Sequence, residues 1–392
     1  MGMKRLLLLL AIAFAATATA QDHKKSVMIT EGPYLQAVGE SEFTVVWKTD
    51  QDAVAWVEVA PDDGTHFYNR ERPKFFQTRY GRKVIGNLHT VRVSGLTPGT
   101  TYRYRIISAA AFKGEKDRVR FTELRGSDVY RRQPYFVTTL NPAKESVSFA
   151  MVNDIHGKTA ELETLLADAA KRKYDFVCFN GDMTSRNNAQ DEVFKFYLNS
   201  ASKLFAKETP LVYVRGNHET RGAYAVSLPE LFPSSSGQPY YAFRQGPAYF
   251  IVLDCGEDKP DSDMEYSGLA CYDQYRAEQA EWLRTVVASE EFRSAPIKIA
   301  FCHIPPETKG WHGAEEIMRL FVPILNEGGL DLMLSGHIHK YRLTEAGTNG
   351  CNFPVLCNPN VCRLDAEVTA KGVDIKIFDT QATLLHSYQL KK

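Results

Sequence analysis

Five short segments of this 392-residue sequence place metal- or proton-binding side chains next to a turn. They are Asp154-Ile155-His156, Gly181-Asp182, Gly216-Asn217-His218-Glu219, Cys302-His303 and Gly336-His337-Ile338-His339. Each follows an apolar run that reads as a strand: Val147 to Val152, Phe176 to Phe179, Leu211 to Val214, Ile297 to Phe301 and Leu330 to Leu334. In open α/β sheets, functional groups gather at the carboxyl ends of strands. Five such ends would therefore converge on one site. Singly, the segments say little. A Gly-Asp after a strand is more often a turn, and a lone histidine such as His303 is more often a satisfied core imidazole. The Gly-His-x-His pattern says more, because side chains two apart in an extended segment point the same way. The ordered set, with helical stretches between its members, points to a metal centre.

Carboxylate, amide oxygen and imidazole without thiolate suit Mn²⁺, Fe or Zn²⁺ rather than a structural zinc site. The sequence also has no Cys-x-x-Cys pair. Asp182 could bridge two ions through its carboxylate. A pair of divalent or mixed-valence ions about 3.5–4 Å apart can hold a hydroxide between them and clamp a phosphoryl oxygen. In-line attack then requires positioning, charge neutralisation and a proton for the leaving oxygen.

The same ordered set resembles the calcineurin-like metallophosphoesterase family. That resemblance implies an α/β fold, a sandwich of two β-sheets flanked by helices. It implies that Asp154, His156, Asp182 and His339 hold one metal, and that Asp182, Asn217, His303 and His337 hold the other. It makes His218 the general acid that protonates the departing alkoxide. The stretch Gly181-Asp182-Met183-Thr184-Ser185-Arg186 is similar to the Gly-Asp-x-x-Asp-Arg segment of the Ser/Thr protein phosphatases. Arg186 would then grip phosphate through its fork, with a solvated loop arginine as the plain alternative. Ser185 stands where those phosphatases place the Asp that pairs with the catalytic histidine, so Ser185 or water would orient His218 less strongly. Arg215 reads as structural.

The elements that would position these residues fall into two textures. Residues 27–140 carry short alternating runs such as Phe43-Thr44-Val45-Val46-Trp47 and Val54-Ala55-Trp56-Val57-Glu58-Val59, the pattern of an all-β sandwich. Trp47 and the turn-plus-strand Leu96 to Tyr104 resemble fibronectin type III domains. Lys113 to Arg132 is charged and reads as a long loop, and Thr138 to Glu145 as a linker. Residues 145–392 alternate strands and helices, with Ala160 to Ala170 at helical spacing, which predicts a layered α/β domain. A sandwich ahead of a metallophosphoesterase domain resembles the purple acid phosphatases. Two positions depart from them: His156 replaces a glycine, and Ser185 replaces the metal-bound tyrosine. No tyrosinate-to-iron colour is therefore expected.

Lys4 and Arg5 precede the apolar run Leu6 to Ala16, and Ala18-Thr19-Ala20 has the small-x-small pattern of a cleavage site. Residues 1–20 read as a secretory signal peptide, with no cysteine after the cut to take a lipid anchor. No later stretch reaches the roughly 18 apolar residues of a spanning helix. A periplasmic or secreted protein is expected. The formal net charge is zero, which gives no electrostatic basis for capturing nucleic acid. Export permits disulfides, and a bridge among Cys351, Cys357 and Cys362 is expected, whereas Cys178 and Cys302 read as buried thiols.

The expected activity is hydrolysis of a phosphomonoester or phosphodiester, on a small molecule or a macromolecule. A second reading makes the sandwich a binding module on an inactive second domain. A metallo-β-lactamase-like reading would need His-x-His-x-Asp-His, which is absent. The acidic, aromatic segment Glu257 to Tyr275 reads as a solvated loop, with a lid as the alternative. Trp311-His312 reads as an ordinary loop pair, with a loop bordering the pocket as the alternative. His23, His66, His89 and His386 have no identifiable partner in the sequence.

Overall fold

The computed structural model describes residues 26–113, 116, 118–130 and 134–392. The expected signal peptide lies outside them.

The first half is organised by one long strand, Glu42–Pro61. Its first part pairs with Ile29–Gln36 on one side and Gly86–Ser94 on the other. A register break separates Lys48 from Ala53. The second part then pairs with Thr101–Lys113 and Lys74–Phe76. Alternate residues from the two parts (Phe43, Val45 and Trp47, then Ala55, Val57 and Val59) meet in one core with Val91, Val93, Tyr104 and Ile106. This is the β-sandwich that the period-two pattern predicts. His89, whose partner the sequence does not reveal, lies 2.8 Å from Thr49 Oγ1 and against the Trp47 ring. The charged stretch after Lys113 is less loop-like than expected. Val119–Phe121 and Arg125–Gly126 pair back onto Thr101–Lys113, because an unfinished strand edge offers backbone partners whatever the side chains are.

The second half contains two six-stranded sheets. In the first, Ser146–Val152 lies parallel to Phe176–Asn180, which lies parallel to Leu211–Val214. Its other edge is extended antiparallel by Arg363–Thr369, Gly372–Phe378 and Leu384–Lys391. In the second sheet, Ala248–Leu253, Ile297–Cys302, Leu332–Ser335 and Val355–Cys357 run parallel. Parallel strands covered on both faces need continuous apolar runs, and the alternation divides the load. Phe149, Met151, Phe176 and Cys178 face Phe250, Val252, Ile299 and Phe301 between the sheets. Ala150, Val152, Val177 and Phe179 face outward onto helical segments through Leu162, Phe194 and Leu198. Ile251, Leu253 and Ala300 do the same against Leu283, Ile317 and Leu325 on the opposite side. The helix expected over Ala160 to Ala170 is two pieces, Thr159–Leu165 and Ala169–Arg172. Leu162, Leu165, Leu166 and Ala169 still share one core, so burial keeps the spacing while the hydrogen-bond ladder is interrupted.

The two halves share packing. Tyr34 and Val46 of the sandwich are buried among the helical residues of the second half. Tyr34 Oη donates to the Leu231 carbonyl at 2.8 Å, Gln36 Nε2 to that of Leu211 at 2.9 Å, and Tyr104 Oη to that of Lys207 at 2.6 Å.

The expected disulfide is absent: all seven cysteines are free. Cys362 sits in the core between the sheets and Cys351 in the core under the outer helices. Cys357, at the end of its strand, has its sulfur 3.9 Å from an Arg342 guanidinium nitrogen. Nearness in sequence does not bring thiols together when successive residues serve different layers. Cys178 and Cys302 are buried as expected.

Candidate metal centre

All five motif segments leave their strands in turns, and in three of them non-glycine residues take an unusual backbone conformation. Asp154, His156, Asp182, His337 and His339 have φ of 51°, 49°, 53°, 68° and 58°. Non-glycine residues avoid this left-handed region, at a cost of about 1–3 kcal/mol each, and such outliers cluster at functional sites. The result is to point successive side chains into one space. Gly181, at φ 82°, lets the chain approach where any side chain would collide with the His303 ring.

Asp154 Oδ1 lies 3.1 Å from His339 Nε2 and 3.9 Å from both His156 Nε2 and His303 Nε2. Asp182 Oδ2 lies 3.1 Å from His303 Nε2 and 3.8 Å from His218 Nε2. Asn217 Oδ1 is 3.1 Å from His337 Nδ1. Ligand atoms of Asp154, His156 and His339 thus form one cluster, those of Asp182, His303 and His337 another, and those of His156, Asp182 and His218 a third that overlaps both, each within 4.8 Å. The backbone N–H of His337 donates to Asp154 Oδ2 at 2.9 Å, and that of His218 to Asp182 Oδ1 at 3.0 Å. The remaining carboxylate oxygens therefore face inward.

Two atoms decide what this space is for. Asp154 Oδ1 and His303 Nε2 are fully buried, and among the described residues neither makes a hydrogen bond of acceptable geometry, the 3.1 Å approaches of His339 and Asp182 included. Buried polar atoms without partners cost about 1–3 kcal/mol, so each of these atoms, set in its own group of ligand atoms, fits a cation beside it. Burial would raise the Asp182 carboxyl, yet it is held well below the ordinary range by the His303 and His218 side chains beside it. Burial would lower His303, but Asp182 and Asp154 push it up to about 10. His337 is pushed down to about 4 by desolvation and by His303 beside it.

His218 is oriented by the backbone. Its Nδ1 lies 2.9 Å from the Ser185 carbonyl oxygen, which leaves Nε2 facing the cluster. The Ser185 hydroxyl instead lies 3.2 Å from His156 Nδ1. The missing Asp is therefore replaced by a main-chain acceptor, which fixes the ring without adding charge. Arg186 does not join the cluster: its side chain is half exposed, and its guanidinium lies 3.6 Å from Glu265 Oε1.

Several supporting residues were not legible in the sequence. Asn153 donates to Asp154 Oδ2 at 2.6 Å, and Asn358, more than two hundred residues on, donates to Asn153 Oδ1 at 2.7 Å. The Asn153-Asp154 doublet was the only signal. Glu219, the last residue of its motif, accepts from the backbone N–H of Asp182, Met183 and Gly216 at 2.7, 2.8 and 2.9 Å. Burial and the Asp182 charge push its carboxyl up to about 7. Glu219→Leu would orphan three buried donors. It is expected to lower stability by about 3–5 kcal/mol, read as a fall in the denaturant midpoint at unchanged slope. A loss under about 1 kcal/mol, less than one orphaned donor costs, would show that the loops hold without it.

The start of the acidic segment is also not a solvated loop. Glu257 and Asp258 are buried. Arg221 binds both Glu257 oxygens at 2.8 Å and Asp258 Oδ1 at 3.0 Å, a forked pairing that offsets the desolvation of the carboxylates. Asp258 Oδ2 in turn accepts from Asn217 Nδ2 at 3.4 Å, with Asn217 Oδ1 turned to the cluster. Arg215 pairs with buried Asp254 at 2.8 Å and is structural, as expected. His312 opens the helix His312–Leu320 and lies 2.8 Å from Asp273.

A two-sheet sandwich that gathers carboxylates, an amide and imidazoles at its strand ends defines a metallophosphoesterase. Comparison with known proteins gives the same class. Residues 147–341 match the calcineurin-like phosphoesterase family, and residues 30–124 match the purple acid phosphatase N-terminal domain. Purple acid phosphatase 18 of Arabidopsis thaliana is 23% identical, over 86% of this chain and 70% of its own length. Purple acid phosphatase 1 of Ipomoea batatas is 26% identical, over 85% of this chain and 67% of its own. A serine/threonine-protein phosphatase of Rattus norvegicus is 28% identical over 35% of this chain and 44% of its own. The chain carries a calcineurin-like phosphoesterase domain behind a purple acid phosphatase N-terminal domain and is homologous to the purple acid phosphatases. It is a metal-dependent phosphoesterase.

Proposed function

We propose that the chain is an exported phosphoesterase working through a binuclear centre. Asp154, His156, Asp182 and His339 would hold one ion, and Asp182, Asn217, His303 and His337 the other, with Mn, Fe or Zn accommodated. The observation that carries this reading is the pair of buried, unpartnered atoms, Asp154 Oδ1 and His303 Nε2, inside two clusters of ligand atoms. Two ions bound there would supply the nucleophile and neutralise phosphoryl charge. The chain's own contribution is orientation and a proton. Asp182 positions His218 through its backbone N–H, and the Ser185 carbonyl fixes the Nδ1 side of the ring. The Nε2 proton then points where a leaving oxygen would depart. Arg186 would grip phosphate only by giving up its contact with Glu265.

Export rests on the basic-apolar-small pattern of residues 1–20. No helix among the described residues is long and apolar enough to cross a membrane.

The test is metal analysis with phosphate release from an aryl phosphate and a bis-aryl phosphate, supplying Mn²⁺, Zn²⁺ and Fe²⁺ in turn. About two ions per chain and turnover of at least one ester class are expected. The iron-loaded protein should show no strong visible band, since Ser185 offers no phenolate. Metal-loaded protein that hydrolyses neither ester would refute the reading.

A further inference from the structure

The cavity that opens onto the cluster has a built wall on its far side. It measures about 530 Å³ and is lined by Asp182, Asn217, His218 and His337, and also by Ile304, Pro305, Ala314 and Trp311. Trp311 is 58% exposed. Large exposed aromatics that share a concave space with a few convergent polar groups are the mark of a ligand wall rather than scattered surface.

The backbone that carries the ring is also held in place. The backbone N–H of Gly313 donates to the Asp258 carbonyl at 2.9 Å, and a side chain at 313 would collide with the Glu257 backbone. Asp258 is the residue that accepts from Asn217. The Trp311 carbonyl accepts from Glu315 in the helix it precedes, at 3.1 Å. Lys259, next to Asp258, sits 6.0 Å from the ring centroid. Hydrogen bonds through Asp258 therefore tie the backbone next to Trp311 to Asn217, one of the side chains expected to hold metal.

We infer that Trp311 is a specificity-determining residue for this site, and that the preferred substrates are phosphate esters whose alcohol carries a flat aromatic ring. With the phosphoryl group at the cluster, the alcohol occupies the rest of the cavity, and its ring stacks on the exposed indole. The cavity volume suits a one-ring or nucleoside-sized group. This inference rests on the phosphoesterase reading.

The experiment compares 2-phenylethyl phosphate with 2-cyclohexylethyl phosphate on the metal-loaded protein. The two leaving alcohols match in acidity and bulk and differ in flatness. The wild type is expected to favour the phenyl ester in kcat/KM. Trp311→Leu should lower that preference about fivefold, and Trp311→Phe should keep most of it. A preference that does not move in Trp311→Leu overturns the inference. If neither ester is hydrolysed, the phosphoesterase reading is decided by the aryl and bis-aryl phosphates above. The stacking is then decided by binding of the two corresponding phosphonates. Tighter binding of the phenyl phosphonate that is lost in Trp311→Leu sustains it, and equal binding in both proteins overturns it.

Discussion

Asp182→Ala is expected to lower kcat/KM by at least about a thousandfold, the equivalent of several kcal/mol of transition-state charge stabilisation. Bound metal should fall from about two ions per chain to about one or fewer. Two properties of Asp182 make the effect large. Its side chain is almost fully buried, with Oδ2 3.1 Å from His303 Nε2 and 3.8 Å from His218 Nε2. Its other oxygen accepts the His218 backbone N–H. Alanine therefore removes the shared ligand and also loosens the His218 turn. Asp182→Asn separates the two contributions, because an amide oxygen can still accept from His218 but lacks the charge to bind two cations. It should retain the folded midpoint of the wild type more closely than alanine and still lose metal. Metal content and kcat/KM that survive in both variants would show that Asp182 is not shared between ions.

His218→Ala should lower kcat about 10²–10⁴-fold with both ions retained. The loss should depend on the leaving group. A 4-nitrophenolate departs without help, so its ester should lose little, whereas an alkyl ester needs the proton and should lose most. This dependence separates proton donation from general damage to the site, which would slow both esters equally. The ring is held through Nδ1 by a carbonyl rather than a carboxylate. Ser185→Ala should therefore leave the His218 orientation intact, although that hydroxyl touches His156. Equal losses for both esters in His218→Ala would remove it from the proton-transfer role.

The site was largely legible because its members lie at the ends of strands that announce themselves as apolar runs. Val147 to Val152 and Ile297 to Phe301 stand out by residue type alone, and the residues just beyond them follow. The two textures of the chain were legible for the same reason, since a period of two and an alternation of strands and helices are written in local spacing. What remained hidden depends on distant pairing. Asn358 meets Asn153 only because its strand docks beside the metal segments. Glu257 and Asp258 look like solvated acids until Arg221 folds against them. The disulfide expectation failed similarly, since proximity along the chain says nothing about which layer each thiol enters. Arg186 showed the converse: a motif position fixes the backbone, while a long side chain chooses its partner from what folds nearby.

The burial of Tyr34 among the helical residues of the second half has a consequence for how such a protein can be recombined. Its phenol ends on the Leu231 carbonyl, and Gln36 beside it ends on Leu211. A foreign sandwich grafted in front of the same catalytic half would leave a ring-sized hole and two main-chain carbonyls without donors, a penalty of about 1–3 kcal/mol for each bond besides the lost packing. The front half is therefore a fitted lining for its neighbour. It could be exchanged only together with the socket that receives it.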